Sequence, residues 1–402
     1  MNKQQFITAS VIGLALYLIS TGLSFAGFSY FVGASTGKPT SSSSGTDPNS
    51  LQGHFAIDPT LPKTEACPLN GVLRTKPERE IWEKRRPIAV MIENHAEARP
   101  QSGLSTADIV YESVAEGGIS RFMGVFYCGL ASPVTLAPVR SARTYYLPWV
   151  LEYDALYNHV GGAGRCQDDT VDDRAKALCQ IEQWKIKDLD QFGLPFKTSD
   201  KKDIVCVRNY DRLDHPVATE HTMVCNTVGL YKVAQERGWT NVDTKGISWD
   251  KNFVPWKFKD DAKLDERPVS FSVSFVAWKG YEKEYGVTWN YDRTTNSYKR
   301  VNGGLPHTDL ENKQQLTAST VVIQFAKEVG PVDGHAHLLY ENIGSGDGIL
   351  FLDGKAVKIS WKKPDRMSRT KFLDTSGKEL AFNRGQIWIE MLPIGTSVNY
   401  PK

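Results

Sequence analysis

The chain has 402 residues, 41% hydrophobic and 23% charged, which is enough for two ordinary domains with sizeable cores. Its 48 basic and 46 acidic residues leave a formal net charge of +2, and this excludes a global field that would recruit nucleic acid or an anionic membrane surface. Electrostatic recognition must be local.

In chain order, the first feature is an apolar run. No charged residue occurs from Phe6 to Gly33, a stretch long enough to cross a bilayer core of about 30 Å as a helix. Lys3 and the amino terminus precede it, so the positive-inside tendency puts the short tail in the cytoplasm and the rest outside. The expectation is a transmembrane or signal-anchor segment over 1–34 and a single-pass cell-membrane protein whose bulk is extracytoplasmic. The small residues Val32, Gly33 and Ala34 offer cleavage by a signal peptidase as the alternative. Six cysteines fit an oxidising exterior and permit disulfides without assigning them; buried free thiols are the alternative.

Residues 35–76 begin rich in Ser, Thr, Gly and Pro, as in a disordered tether. From 77 to 245 short apolar runs, such as 87–92, 108–112, 121–127 and 155–160, alternate with helical patterns over 144–153, 170–184 and 224–237, which predicts an α/β layered domain. Residues 246–266 lack either period and read as a linker. From 267 to 400 the period is two: Val269, Phe271, Val273 and Phe275 alternate with serines, and Asp353-Gly354 sits between two apolar runs as a hairpin turn. The second domain is mostly β, so the class is α+β.

The densest polar sequence follows the apolar run at 87–92. It contains Asn94, His95, ARPQSGL (98–104), ADIVYE (107–112), EGGISRF (116–122), PVRSAR (138–143), EYDA (152–155) and HVGG (159–162). With YKR (298–300), GGLPH (303–307), Asp309, Asp353-Gly354, SWKK (360–363), Gly377 and GQIWI (385–389), this series resembles the YerB-like family of bacterial envelope proteins, a two-part domain of unknown function. The resemblance implies export and attachment at the membrane, with no established activity or cofactor. This chain departs from it in having no lipobox cysteine, so a transmembrane anchor would replace the lipid. It also has TEHTM at 219–223, where His221 matches the family histidine but its flanking asparagine is absent.

Glu112 and Glu116 are four apart and share a face in strand or helix, so with Arg121 they could divide into acid and base or form an ion-pair network. Arg140 and Arg143 bracket Ser141, and guanidinium forks suit carboxylate or phosphate. The ligand-binding set is therefore Arg99, Glu112, Glu116, Arg121, Arg140, Ser141, Arg143, His159 and His221. It serves an anionic envelope ligand, with the second domain closing against the first. A wall glycan or peptide hydrolase or transferase using Glu116 with His159 or His221 is one alternative, and a structural assembly protein with an envelope partner is another. The separation of His95, His159 and His221 fits no compact metal signature, Asp168, Asp169, Asp172 and Asp173 lack the glycine and terminal glutamate of a calcium loop, and neither metal nor cofactor is expected.

Overall fold

A computed structural model describes residues 57–401. The apolar run at 6–33 lies outside these residues, and among the described residues no helix is long and apolar enough to cross a membrane. The described part is mostly β with short helices, the longest of them Thr227–Glu236.

One mixed sheet runs through both halves of the chain. Its main strands are β1 (Ile88–Glu93), β2 (Ile109–Glu116), β3 (Ile119–Phe126), β4 (Leu156–His159) and β5 (Lys187–Asp190) from the first half. The second half supplies β9 (Thr320–Val329), β10 (Gly344–Leu352), β11 (Lys355–Lys363), β12 (Lys371–Leu373) and β13 (Ile387–Pro393); β6 (Ser272–Phe275), β7 (Val287–Asp292) and β8 (Ser297–Asn302) form a separate antiparallel sheet. The order across the main sheet is β12-β11-β10-β9-β13-β2-β3-β1-β4-β5. The halves join where β13 lies parallel to β2, with Ile387 opposite Ile109 and Glu390 opposite Glu112.

The central strands are covered on both faces, which explains their nearly continuous apolar sequences. Along β1, Ala89 and Met91 point into one core, while Ile88, Val90 and Ile92 point into the other. The period of two repeats on β13: Ile387, Ile389 and Met391 belong to the first core, Trp388 and Leu392 to the second. The smaller sheet packs on that second face, where Trp289 meets Trp388 edge-on at 5.1 Å.

Four expectations change. Among the described residues the expected α/β layering gives way to a mostly β fold, in which the helical patterns at 144–153 and 170–184 yield helices of only 6 and 7 residues, Leu147–Glu152 and Ala177–Gln183. The tether ends earlier than 76: Lys63–Ala66 and Leu73–Thr75 pair as a hairpin, and Cys67 is bonded to Cys128. The stretch expected as a linker at 246–266 is docked, burying Trp249 and Trp256 in the core and pairing Lys257–Lys259 with Ala381–Asn383. Its tryptophans supply the burial that its lack of period concealed. The second half does not close on the first, since β13 is hydrogen-bonded into the same sheet. All six cysteines pair, as Cys67–Cys128, Cys166–Cys179 and Cys206–Cys225.

Candidate functional site

The carboxyl ends of β1, β2 and β4 and the start of β3 lie along one edge of the sheet, because β3 runs antiparallel between the first two and β4 runs parallel to β1. In open sheets the carboxyl ends of parallel strands are where ligand-binding groups gather. Here they present Glu93, Glu116, Arg121 and His159. Gly117 and Gly118 make the turn from β2 to β3 at φ of 58° and 76°, a conformation that favours glycine, and a Cβ on Gly118 would lie 2.6 Å from the Tyr281 ring.

The PVRSAR segment is stitched across this edge. Arg140 N–H donates to Met91 O at 2.9 Å, and Val160 N–H donates to Arg140 O at 3.0 Å. Its side chains complete a charged cluster. Glu116 accepts from Arg121 Nη2 at 3.1 Å and from Arg143 Nε, while Arg121 Nη1 donates to the Ser141 carbonyl at 3.2 Å. Glu93 accepts from Arg140 Nε at 2.9 Å through one oxygen and from His221 Nδ1 at 2.6 Å through the other.

Burial opposes the charge of both carboxylates, but their partners prevail. The His221 hydrogen bond and the Arg140 charge hold Glu93 below the ordinary carboxylate range, and Arg121 and Arg143 do the same for Glu116. Burial and then the Arg143 charge bring Arg121 down to about 10, so it stays cationic at neutral pH. Three guanidinium groups thus face two carboxylates. Arg140 has the most capacity left: its side chain is 24% exposed and among the described residues neither of its Nη atoms has a hydrogen-bond partner, whereas Arg121 and Arg143 each spend two nitrogens on Glu116 and a backbone carbonyl.

A second polar group is buried between the two sheets. Glu112 on β2 and Glu390 on β13 are neighbours pointing at the smaller sheet, from which fully buried Arg300 reaches them at 2.6 and 3.2 Å. Arg300 Nε donates to His307 Nδ1 at 3.0 Å, and His307 Nε2 meets Gln101 Oε1 at 2.7 Å. Burial and the positive charge of Arg300 push His307 well below its ordinary value, so it is neutral and accepts from Arg300. Burial and then the Glu112 charge push Glu390 well above the carboxylate range, with Arg300 opposing them. Glu390 Oε1 accepts from Trp289 Nε1 at 3.0 Å, whereas among the described residues Oε2 accepts from no donor. A cavity of about 20 Å³, room for a water molecule, is lined in part by Glu112 and Glu390.

The structure therefore brings together Glu116, Arg121, Arg140, Ser141, Arg143 and His221, but not the other three candidates. Arg99 lies over Tyr285 and donates to Asn94 Oδ1 at 3.0 Å. Glu112 belongs to the inter-sheet group, because a bulge between Val114 and Glu116 breaks the even spacing that would have put both glutamates on one face. His159 is fully buried and satisfied by Gly161 O at 2.7 Å and Asp188 Oδ1 at 2.8 Å. Glu116 is thus held as a carboxylate by arginines, a poor general acid, and neither histidine proposed as its partner touches it. Sequence reasoning missed Glu93, Arg300, His307 and Glu390; a lone carboxylate within or ending a wholly apolar strand, as at Glu93 and Glu390, was the available signal.

Residues 70–239 match the family described as "Protein of unknown function (DUF3048) N-terminal domain", and residues 276–389 match its C-terminal domain. Over 347 residues the chain is 28% identical to YerB of Bacillus subtilis (strain 168), covering 86% of this chain and 91% of YerB, whose name carries a provisional lipoprotein assignment. The crystal structure of YerB from Bacillus subtilis is similar with a TM-score of 0.65 at 25% identity, covering 84% of this chain and 100% of that one.

Proposed function

The chain belongs to the two-part DUF3048 family, and from that membership and the arginine cluster we propose that it is a membrane-anchored extracytoplasmic protein that binds an anionic cell-envelope ligand. The location is supported by the lipoprotein assignment in the name of YerB, by three disulfides, which persist in oxidising compartments, and by the uncharged run at 6–33 as the anchor. The observation that carries the binding function is the unspent fork of Arg140. Glu93 fixes its Nε, so the two Nη groups are pre-organised to grip a carboxylate or phosphate bidentately. Arg143 and Arg121 spend most of their donors on Glu116 and on the carbonyls of Ala142 and Ser141, and add chiefly positive field.

A thermal-shift series on the full chain in detergent tests this, with phosphodiester polymer fragments and carboxylated wall peptides as ligands. A ligand at about a hundred times its dissociation constant stabilises by roughly 2.7 kcal/mol, a shift of a few degrees for a chain this large. The shift should vanish in Arg140→Ala. Absence of any shift from a folded wild type would sink the reading and favour an assembly protein that binds an envelope partner.

A further inference from the structure

Two histidines 126 positions apart are stacked at the edge of the charged cluster. The rings of His95 and His221 lie 4.7 Å apart between centroids at an interplanar angle of 19°. Glu97 follows on the same turn as His95, and one nitrogen of each ring and a carboxylate oxygen of Glu97 all lie within 4.8 Å of one another. We propose that His95, Glu97 and His221 form a site for a divalent transition-metal ion of the zinc class, with Glu93 positioning His221.

Two imidazoles and a carboxylate are a donor set suited to zinc and its first-row neighbours, whereas calcium and magnesium take oxygen ligands. The inner support of the site is built. Buried Glu93 accepts from His221 Nδ1 at 2.6 Å, which puts the ring proton on Nδ1 and leaves the Nε2 lone pair for an ion. Carboxylate–histidine–metal relays of this kind fix tautomer and ring orientation in known sites. Among the described residues His221 Nε2 has no hydrogen-bond partner, although the residue is only 4% exposed.

The outer side is adjustable. His95 is half-buried and Glu97 is exposed, so both can move inward by the ångström or so that separates the present spacing from donors at about 2.0–2.2 Å around one ion. The contact from Glu97 N–H to His95 Nδ1, 3.3 Å long, is weak enough to be exchanged for a metal bond. Exposure of Glu97 also leaves an entry path and open coordination positions. Glu93 turns its other oxygen to Arg140, but the metal site needs none of the anion-binding capacity of that arginine and stands whether or not an anion binds there.

The experiment is a calorimetric titration of the untagged, chelator-treated full chain with Zn²⁺, supported by the visible spectrum of the Co²⁺ form. Wild type should bind one ion per chain and give the intense absorption of low-coordinate Co²⁺. His95→Ala and Glu97→Gln alter residues outside the core, so they should keep the wild-type unfolding midpoint in the absence of metal while binding far more weakly; His221→Ala should lose the ion. Glu93→Gln should weaken binding about 10–100-fold by releasing the ring. His335→Ala, whose exposed ring contacts Thr170, should bind as wild type. No stoichiometric binding by wild type, undiminished binding by His95→Ala, or loss in His335→Ala would each overturn the proposal.

Discussion

The proton that Glu390 keeps in the inter-sheet carboxyl pair makes a stability prediction with a definite sign. Folded Glu390 keeps its proton well above the ordinary value of 4.5, because it is buried and faces the Glu112 charge. Unfolded Glu390 releases its proton near that value. Above it, folding takes up a proton, so this group's contribution is fully present at lower pH and is lost as pH rises toward the folded value. The slope is about 1.4 kcal/mol per pH unit. Glu390→Gln keeps the shape, retains the acceptor for Trp289 and Arg300 on Oε1, and can donate to Glu112 from its amide without any proton to lose. The variant should therefore gain on wild type with each pH unit. Urea unfolding of both proteins between about pH 5 and pH 8 reads the difference directly. A difference in stability that stays constant across the range, or one that moves against the variant as pH rises, would refute the protonated pair.

Other perturbations follow from the same packing. Arg300→Met leaves two buried carboxyl groups without their cation and should cost about 3–5 kcal/mol in chemical unfolding, the usual penalty for breaking a buried pair. Opening Cys67–Cys128 by a double serine substitution frees a loop with a sequence separation of 61 and should cost about 4 kcal/mol on chain-entropy grounds, measured the same way. Trp249→Ala should lose about 3–5 kcal/mol, a value far larger than truncation within a free linker could produce. Glu93 is held below its ordinary carboxylate value by His221 and Arg140 against the opposing effect of burial, so it adds stability that is present above that value and lost as acid protonates it. Glu93→Gln should flatten the acid limb of a pH–stability curve.

Much of the strand pattern was legible because burial on two faces writes continuous apolar runs, as at Ile88–Glu93, and burial on one face writes alternation, as at Ser272–Phe275. The turn at Asp353-Gly354 was legible for a local reason: both residues take positive φ, 52° and 68°. What could not be read were pairings made by residues far apart in the chain. Nothing near Ile109–Glu116 announces that Ile387–Pro393 will lie beside it, so the joining of the halves and the Glu112–Glu390–Arg300 group were invisible. The bulge before Glu116 is a single-residue event that periodicity averages away, and it breaks the even spacing between the two glutamates. The arginines of PVRSAR were legible as chemistry, since their residue types and spacing mark a charged site. Their partners were not, because Glu93 and His221 are 128 residues apart.

The anion site we propose rests on the two Nη groups of Arg140, unpaired among the described residues. Isothermal titration of the full chain with a short phosphodiester oligomer and with a carboxylated wall peptide, in wild type and Arg140→Ala, tests it most directly. Wild type should show saturable binding of one of these anions, weakened by added salt and lost in Arg140→Ala, with the variant as stable as wild type to within about 1 kcal/mol because the replaced side chain is partly exposed. Binding of equal strength in the variant, or none in a folded wild type, would contradict it.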